Sequence, residues 1–439
     1  MARLLYTLLI YLCLPLILLR LLWRGSRAPA YRRRWGERFG FVERLADAQQ
    51  VIWVHSVSVG ETIAAAPMIR RLQKQYPAAT LLVTTMTPTG SAQVKKIFGD
   101  SVEHCYAPYD MPDAIARFLS RTHPALLVIM ETELWPNLIH ACHRRAIPVV
   151  LANARLSAKS AAGYAKVGRL SRPMLNELTV IAAQTKADGE RFTQLGVISK
   201  ALEVTGNIKF DLQLDAALRE KAALLKKQWQ GSSARPVCLA ASTHRGEDEI
   251  ILDAFSQVLE QRPDLLLVLV PRHPERFDEV AALCSEAGYQ LQRRSDGGAD
   301  ERTALESSVQ IVLGDTMGEL LSFCGASDLT FVGGSLIDVG GHNLIEPAAW
   351  GVPVLSGPYL FNFTEVSRLL GEAGGLAICA TAAELAEQVV ALLADAGLHQ
   401  QMSSAALAVT EANRGALDRL TVLLESQICQ PPAQASTRR

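Results

Sequence analysis

The stretch that decides the fold covers residues 331–358, FVGGSLIDVGGHNLIEPAAWGVPVLSGP, which we interpret as a strand, a glycine-rich loop, a helix and a second strand. The first apolar run ends at Gly333 and Gly334. The later pair, Gly340 and Gly341, would let the backbone approach a ligand closely, because glycine has no Cβ and adopts dihedral angles that other residues avoid. This order of elements predicts a ligand-binding loop at the end of a strand.

A helix is expected to begin within residues 343–347, directly after the second glycine pair. The free N–H groups and the positive dipole end of such a helix can bind a phosphate. Glu346, which lies inside this segment, can accept hydrogen bonds from sugar hydroxyls. The segment therefore predicts recognition of a nucleotide or a sugar phosphate.

The length of 439 residues predicts two domains of roughly 150 to 200 residues, because a single core of this size is uncommon. Lys plus Arg and Asp plus Glu number 44 each, so the net charge gives no argument for nucleic-acid binding, and we expect none. The eight cysteines are scattered without a C-x-x-C pair, which is typical of reduced core cysteines in a cytoplasmic protein.

An almost unbroken apolar run, residues 4–19, lies near the N-terminus and precedes a group of arginines that we call the basic collar. The collar consists of Arg20, Arg24, Arg27, Arg32, Arg33, Arg34 and Arg38. We interpret residues 1–30 as a single membrane anchor, and the arginines place the rest of the chain on the cytoplasmic side. A helix lying in the membrane interface is the alternative, and the sequence does not separate it from a spanning helix. A cleaved signal peptide is disfavoured because the positive charge follows the apolar run.

Short apolar runs alternate with longer amphipathic segments from about Val51, and the alternation repeats from Val237. Apolar runs separated by helices predict parallel sheets that are buried on both faces. The predicted fold class is therefore α/β, with two doubly wound, Rossmann-like domains facing a cleft. The predicted boundaries are residues 31–212 for the first domain, 213–234 for the hinge, 235–428 for the second domain and 429–439 for a disordered tail.

Carboxylates follow two of the predicted strands. Glu61 stands at a strand-to-helix turn, where it could act as a general base or could only stabilise the helix N-terminus, and the spacing leaves both interpretations open. Glu131 and Glu133 follow a later strand in a loop that suits a site. A helix that starts at Trp135 and Pro136 would explain the same loop without a functional role.

Cations and turns follow other strands. Lys209 lies close to the predicted hinge, where it could neutralise charge on a leaving phosphate. In the second domain Arg272 suits a phosphate through its fork of donors, and the turn at residues 317–319 could present backbone groups to a base. His140 and His143 have helical spacing for a metal, but no third ligand is evident, so we expect no metal site.

An acid–base loop in one domain and an anion-binding set in the other favour group transfer over redox chemistry. The chain has no G-x-G-x-x-G motif with an acidic residue at the spacing that supports NAD binding. It also has no G-x-x-x-x-G-K-[ST] motif of a P-loop.

Seven motifs, in this order behind the apolar N-terminus, closely resemble the Kdo transferases of Gram-negative lipopolysaccharide assembly, and the match runs over nearly the whole chain. They are WVHSVSVGE, ETELWPN, NARLS, GNIKFD, STHRGE, PRHPER and GGHNLIEPA. The resemblance implies a glycosyltransferase of the GT-B type that moves 3-deoxy-D-manno-oct-2-ulosonic acid (Kdo) from CMP-Kdo to the lipid A precursor, lipid IVA. It places this reaction at the cytoplasmic face of the inner membrane, with no metal and no cofactor beyond the donor substrate.

The resemblance also implies roles for individual residues. Glu61 would be the general base of an inverting transfer, and Glu131 and Lys209 would stabilise the transition state. The residues that would hold CMP are Pro271, Arg272, His273, Met317, Gly318, Glu319, Asn343, Leu344, Ile345 and Glu346. The chain carries H-N-L-I-E-P where the family usually shows H-N-P-L-E-P, and the missing proline alters the start of the following helix.

Two alternatives stay open. Another membrane-associated GT-B transferase would use a UDP-sugar in envelope biosynthesis, and competition between CMP and UDP would discriminate the two. A non-catalytic sugar-nucleotide binding protein would use Glu61 only as a helix cap, although such a protein needs no base at this position.

Overall fold

The computed structural model describes residues 1–45, 50–231, 234–296 and 304–428. Within these ranges the chain forms two compact units, one made of residues 1–211 with 414–428 and the other of residues 212–413. Each unit contains one sheet of seven strands. The predicted disorder of residues 429–439 concerns a segment outside the described residues.

The first unit holds a parallel sheet with the strand order β3-β2-β1-β4-β5-β6-β7. Its strands are β1 (Val51–His55), β2 (Thr80–Thr85), β3 (Glu103–Tyr106), β4 (Pro124–Met130), β5 (Val149–Ala154), β6 (Val180–Ala183) and β7 (Leu202–Val204). Alternate residues of β1 pack on opposite faces, so that Ile52 and Val54 join one core and Trp53 joins the other. Both faces are therefore buried, as the apolar runs predict.

Nine helices of the first unit precede or connect these strands. They are α1 (Ala2–Arg27), α2 (Trp35–Arg38), α3 (Val59–Gln75), α4 (Pro88–Phe98), α5 (Pro112–Thr122), α6 (Pro136–Arg144), α7 (Ala158–Lys166), α8 (Gly168–Asn176) and α9 (Lys186–Gln194), with 3₁₀ turns at Pro29–Arg32, Ser199–Ala201 and Ile208–Asp211. Strand order reverses between β1 and β4, and the site of a doubly wound sheet is expected at the carboxyl ends of these two strands.

The second unit repeats the plan with the parallel order β10-β11-β9-β8-β12-β13-β14. Its strands are β8 (Val237–Thr243), β9 (Leu266–Pro271), β10 (Leu291–Arg293), β11 (Ile311–Leu313), β12 (Leu329–Val332), β13 (Val354–Ser356) and β14 (Leu376–Ile378). Its helices are α10 (Ala216–Gln230), α11 (Asp248–Leu259), α12 (Phe277–Glu286), α13 (Leu320–Ala326), α14 (Ile345–Ala349), α15 (Thr364–Ala373), α16 (Ala382–Ala394) and α17 (Ala396–Ala412), with 3₁₀ turns at Pro274–Arg276 and Arg294–Asp296. The prediction of two doubly wound, Rossmann-like domains is confirmed.

The observed units differ from the predicted boundaries at the hinge. Residues 213–234 include α10, which packs into the core of the second unit through Leu225 and Trp229. The ring of Trp229 lies 5.3 Å from that of Phe323. A charged helix with a narrow apolar stripe looks like a linker in the sequence, but this stripe is sufficient to dock it on the sheet.

The last helix, α18 (Ala416–Ile428), belongs to the first unit, whereas the sequence interpretation placed it in the second domain. Leu420 and Leu424 are buried in the same core as Ile52 of β1. Asp211 accepts hydrogen bonds from the N–H groups that begin the helix, including that of Gly415 at 2.6 Å. The period of apolar residues along a helix does not tell which sheet the helix covers, and this is why the boundary was wrong.

Two arginines of the basic collar are part of the first unit. Arg34 donates to Ser91 Oγ at 3.0 Å and to the carbonyl oxygen of His104 at 3.1 Å. Arg38 is only 2% exposed, and its guanidinium carbon lies 4.1 Å from the ring centroid of Tyr106. These two side chains stabilise the unit through hydrogen bonds and cation–π contact, so the collar available to other partners is smaller than predicted.

Among the described residues, α1 is the one helix whose length and composition would allow it to cross a membrane, over Ala2–Ser26. Length and composition alone are weak evidence, because signal sequences and buried core helices share them. The packing of α1 on the first unit gives independent information about how the helix can meet a membrane.

Candidate active site

Three carboxylates meet at the carboxyl edge of the first sheet. Glu61 lies in the first turn of α3, which follows β1, and Glu131 and Glu133 lie in the loop that follows β4. Because β1 and β4 are parallel neighbours, the segments that follow them start side by side. The charges of Glu131 and Glu133 both act on the carboxyl group of Glu61. The structure thus brings Glu61 and Glu131 together and adds Glu133, to which the sequence interpretation gave no separate role.

Glu61 closes the N-terminus of α3 through a capping box. Ser58 is the N-cap residue, and its Oγ accepts from the N–H of Glu61 at 3.3 Å and donates to Glu61 Oε1 at 2.9 Å. Glu61 Oε2 accepts from the N–H of Val57 at 2.9 Å. A carboxylate has about four acceptor positions, so these two bonds leave room for a substrate hydroxyl. The capping role and a catalytic role are compatible at this residue.

Burial raises the pKa of Glu61 from its ordinary value of 4.5 to about 7, against the opposing effect of the hydrogen bonds from Val57 and Ser58. The like charges of Glu131 and Glu133 contribute to this increase. A carboxyl group with this pKa is close to half protonated at neutral pH, which is the property that suits a general acid or base. A glutamate that served only as a cap would need no such environment.

Glu131 forms an ion pair with Lys209. Its Oε1 lies 2.9 Å from Lys209 Nζ, and both side chains are partly exposed. Glu131 has a φ of 56°, in the left-handed region that non-glycine residues rarely adopt. Such backbone strain costs about 1 to 3 kcal/mol and is frequent at functional sites, so the conformation indicates that the surrounding structure fixes the direction of this side chain.

Lys209 is positioned by the 3₁₀ turn Ile208–Asp211. The buried side chain of Asn153, at the end of β5, accepts from the N–H of Ile208 at 3.1 Å. Asn153 also has a φ of 53°. Asp211 ties the other end of the turn to the start of α18. Asn153 and Asp211 stand inside motifs quoted from the sequence, but their positioning role is visible only in the folded chain.

The helix start that was the alternative explanation for the Glu131 loop is also present, since α6 begins at Pro136. Its first N–H groups, those of Asn137 and Leu138, donate to the carboxylate of Asp110 at 3.0 and 2.7 Å. Asp110 therefore satisfies the helix start, and the capping requirement of α6 does not account for Glu131.

In the second unit Arg272 is an exposed cation at the carboxyl edge of the sheet. It follows Pro271, the last residue of β9, and its N–H donates to the carbonyl oxygen of Thr243 at 3.0 Å. Its charge acts on His342 and on Glu346. The structure therefore brings Arg272 close to the segment that follows β12, as expected for one anion-binding set.

Three histidines adjoin Arg272. His244 Nε2 and His342 Nε2 lie 2.8 Å apart with stacked rings, and the ring of His273 stands nearly perpendicular to that of His244 at 5.2 Å. Burial, with smaller effects of Arg272 and the two neighbouring histidines, lowers the pKa of His342 to about 3. His342 is therefore neutral at pH 7. An uncharged imidazole surface beside a cation can contact both the apolar and the anionic parts of a nucleotide. The sequence interpretation gave His273 a role in binding CMP, whereas it quoted His244 and His342 only within motifs.

Glu247, which the sequence interpretation quoted only within the motif STHRGE, holds this region together. Its buried carboxylate accepts from four N–H groups: those of His244 at 2.9 Å, Gly334 at 2.6 Å, Ser335 at 2.8 Å and Leu336 at 2.9 Å. These bonds connect the turn after β8 to the glycine loop after β12, the neighbouring strands between which the order of the second sheet reverses. Glu247 therefore holds the backbone of the glycine loop in place through these hydrogen bonds.

The second glycine pair packs against the segment that follows β13, and the approach of a ligand to it stays a prediction. Gly340 has a φ of 103°, and a Cβ there would lie 2.4 Å from Cε2 of Phe361. Gly341 has a φ of 77°, and its Cβ would lie 2.6 Å from Cδ2 of Leu360. The positive φ values favour glycine at both positions.

The helix expected to begin within residues 343–347 is α14, which has five residues. One turn of helix has little dipole, which weakens the expected phosphate site at its start. Leu344 and Ile345 are fully buried, and their side chains cannot contact a nucleotide. Asn343 Oδ1 accepts from the N–H of Ile345 at 3.2 Å, and its Nδ2 donates to Glu346 Oε1 at 3.1 Å. Asn343 and Glu346 remain as candidate ligand contacts.

The turn at residues 317–319 exposes Met317 and has Gly318 in the left-handed region at a φ of 90°. Burial would raise the pKa of Glu319, but hydrogen bonds from Arg294, Lys221 and Thr316 lower it to about 2. The Glu319 carboxylate is thus occupied by cationic partners. The backbone of the turn and the Met317 side chain are the parts that can contact a ligand.

His140, one of the two histidines with helical spacing, is bound to Glu177, with Nδ1 and Oε1 2.7 Å apart. Among the residues that the structure describes, no group of three His, Cys, Asp or Glu side chains could hold a metal ion.

Replacement of Glu247 by Gln should destabilise the second unit, because an amide N–H₂ would face two of the four backbone donors. We expect a loss of about 3 kcal/mol, the cost of two lost bonds to a charged acceptor, measured as a lower urea midpoint of unfolding followed by fluorescence. Glu249→Gln, on the exposed face of α11, is the control and should leave the midpoint unchanged. Equal midpoints for both variants would contradict the proposed contribution of Glu247 to the stability of the second unit.

Comparison with known proteins adds independent findings. A family model described as 3-Deoxy-D-manno-octulosonic-acid transferase (kdotransferase) matches residues 33–212. The chain is 45% identical to the 3-deoxy-D-manno-octulosonic acid transferase of Haemophilus influenzae over 97% of this chain and 98% of that protein. It is 37% identical to the 3-deoxy-D-manno-octulosonic acid transferase of Bordetella pertussis over 97% of this chain and 99% of that protein.

A solved structure described as a putative UDP-N-acetylglucosamine 2-epimerase from Listeria monocytogenes superposes with a TM-score of 0.57 over 86% of this chain and 96% of that one. At 18% identity this likeness shows the fold alone, and it agrees with the predicted GT-B class. The chain belongs to the 3-deoxy-D-manno-octulosonic acid transferase family and is a glycosyltransferase with two Rossmann-like units.

Proposed function

We propose that the protein transfers Kdo from CMP-Kdo to the lipid A precursor, lipid IVA, with inversion at the anomeric carbon and with Glu61 as the general base. Family membership supports the transferred sugar. The observation that carries the mechanism is the carboxyl group of Glu61, which is held beside Glu131 and Glu133 with a pKa raised to about 7. This combination suits a group that must accept a proton at neutral pH and release it afterwards.

In the proposed step the acceptor hydroxyl gives its proton to Glu61 while its oxygen attacks the anomeric carbon of Kdo. The bond between that carbon and the phosphate oxygen of CMP-Kdo breaks, and CMP leaves with the bonding electron pair. A single displacement of this kind inverts the configuration, because the nucleophile and the leaving group occupy opposite faces. The proton on Glu61 is then released to water, which restores the base.

The ion pair between Glu131 and Lys209 would stabilise the charge that develops during transfer. Lys209 Nζ is held 2.9 Å from Glu131 Oε1, so its position is fixed before the substrate arrives. A preorganised charge stabilises a transition state without reorganisation during the reaction. Glu131 in turn raises the pKa of Glu61, which couples the pair to the base.

The donor nucleotide would be held by the second unit. Arg272 supplies an exposed guanidinium for the phosphate, and His273, Asn343 and Glu346 surround it with polar groups. Pro271, the turn at residues 317–319 and the backbone of Leu344 and Ile345 would shape the pocket for the base and ribose. A nucleoside monophosphate leaving group carries less charge than a diphosphate, so we propose that neither a metal nor a cofactor takes part.

The acceptor is a lipid, which explains why an apolar helix would accompany a catalytic chain of this kind. We propose that α1 and the remaining basic collar attach the protein to the cytoplasmic face of the inner membrane, where acceptor phosphates lie among the headgroups.

Glu61→Gln should lower kcat for Kdo transfer by about 10²-fold or more, because glutamine keeps the capping box but cannot take a proton. The assay uses the purified full-length protein with CMP-Kdo and lipid IVA, and mass analysis of the lipid products. The chain offers a matched control in Glu384→Gln. Glu384 forms the same capping box at the start of α16, where Thr381 Oγ1 accepts from its N–H at 3.2 Å and its Oε2 accepts from the N–H of Ala380 at 2.7 Å.

Full activity of Glu61→Gln would assign the residue to helix capping alone and remove the proposed base. An equal loss in both capping variants would indicate that helix stability, and not proton transfer, limits the rate.

Arg272→Ala should weaken CMP binding about 10- to 100-fold, which corresponds to the loss of a charge-assisted hydrogen-bond pair of roughly 1.5 to 3 kcal/mol. Titration calorimetry of CMP and of UDP against the full-length protein measures this directly. Arg245→Ala is the control, because Arg245 is exposed and paired with Glu279 outside the proposed pocket. Tighter binding of UDP than of CMP would contradict the proposed donor and favour a UDP-sugar.

A further inference from the structure

The helix α1 has two different stripes along its length. One stripe is exposed and almost entirely apolar. It consists of Leu4, Leu5, Leu8, Leu9, Leu12, Leu16, Leu19, Leu22 and Trp23. The opposite stripe is partly or fully covered and carries Tyr6 and Thr7 beside apolar residues such as Ile10, Leu14 and Leu21. A helix on the surface of a soluble protein turns a polar face outward, whereas α1 exposes a leucine-rich face.

The polar residues of α1 are bonded to helices of the first unit. Thr7 Oγ1 and Asn137 Oδ1 of α6 lie 3.1 Å apart, and the Tyr11 hydroxyl donates to Asp113 Oδ1 of α5 at 2.5 Å. The Tyr6 hydroxyl forms a hydrogen bond with Asp110. These contacts tie the first three turns of α1 along the surface of the unit.

The partners of α1 are fixed parts of the first unit. Asp110 is buried and accepts the N–H groups that begin α6, so it cannot move without opening that helix. Arg3 acts electrostatically on Asp110 and on Glu177, the residue that ends α8. The N-terminal part of α1 is therefore attached to three helices, α5, α6 and α8, of a water-facing α/β unit.

This attachment conflicts with a helix that crosses a bilayer. The contacts at Tyr6, Thr7 and Tyr11 lie at the end of α1 that is remote from the basic collar. In a spanning helix this end would lie in the far leaflet of the membrane. Tyr11 and Arg20 are about 13 Å apart along the axis at 1.5 Å per residue. Asp110 and Asp113 would have to follow into the hydrocarbon, where carboxylates and open helix surfaces are strongly disfavoured.

Building on the membrane attachment proposed above, we infer that α1 lies in the plane of the membrane, against the first unit, with its leucine stripe inserted into one leaflet. The stripe runs the length of the helix and ends in Trp23, a residue that prefers the boundary between headgroups and acyl chains. Arg20, Arg32 and Arg33 are exposed at the same end, where they can contact anionic headgroups. The charge and the apolar stripe together identify the occupant as an anionic phospholipid surface.

An in-plane helix also accounts for this arrangement. Tyr6 and Thr7 have protein partners because they face the unit, and the exposed leucines are covered by lipid. In this arrangement the leucine stripe lies at one depth, and the first unit stays on the side of the membrane where it is synthesised.

The test measures the depth of three positions on the leucine stripe. Full-length proteins carry a single fluorophore on Leu4→Cys, Leu12→Cys or Leu19→Cys, in a background with Cys13→Ser and Cys429→Ser, so that the remaining native cysteines are buried. These leucines are 69%, 70% and 60% exposed, so substitution should not disturb folding. Vesicles of phosphatidylethanolamine and phosphatidylglycerol contain spin-labelled lipids that quench at a shallow or a deep position. We expect the same shallow depth, about 5 to 10 Å below the headgroups, at all three positions.

Depths that differ by about 12 Å between neighbouring labels would show a spanning helix and overturn the inference. Fluorophores that neither quencher reaches would overturn it as well, because the stripe would then face protein, such as a second copy of the chain. Kdo transfer is measured on the same samples. Loss of transfer with equal shallow depths would challenge the proposed function and leave the in-plane helix intact.

Discussion

The candidate site of the first unit is built around one buried carboxyl group, that of Glu61. Its two oxygens hold the turn between β1 and α3 through Ser58 and Val57, so the geometry of the turn and the chemistry of the group are determined together. Burial beside Glu131 and Glu133 raises its pKa to about 7. The folded state therefore holds the proton more tightly than the unfolded chain does. The contribution of Glu61 to the free energy of unfolding accordingly falls as the pH rises from about 4.5 towards 7. The same raised pKa that suits Glu61 to act as a base therefore reduces its contribution to stability at neutral pH.

Much of the fold could be predicted from the sequence because the strands are apolar runs that helices separate. The meeting of Glu61 and Glu131 followed from the same pattern, since both stand just after strands and a doubly wound sheet places its site where the strand order reverses. The partners of α10 and α18 could not be predicted, because amphipathic periodicity reveals an apolar face but not the sheet that it covers. The role of Arg38 was also hidden, as an arginine in a basic segment looks like a solvent-exposed charge until its aromatic neighbours are known.

The contacts made by the loops of the second unit could not be predicted from the sequence either. Glu247 binds N–H groups that lie close to 90 residues further along the chain, and no local pattern indicates such contacts. Gly340 and Gly341 looked like places for a ligand to approach, and the structure uses them for packing against Leu360 and Phe361. The fully buried side chains of Leu344 and Ile345 belong to the core, which their place in a motif did not indicate. For α1 the distribution of exposed residues, not the composition, is the basis of the proposed in-plane position.

The pH dependence of kcat/KM for Kdo transfer tests the central claim most directly. A base with a pKa of about 7 should give a rate that falls as the pH drops through neutrality, because protonated Glu61 cannot accept the proton of the acceptor. Glu133→Gln removes one like charge that raises this pKa, so the acid limb should move to lower pH while the plateau at high pH stays unchanged. A profile that is flat between pH 5 and 8 would contradict the assignment of Glu61 as the base.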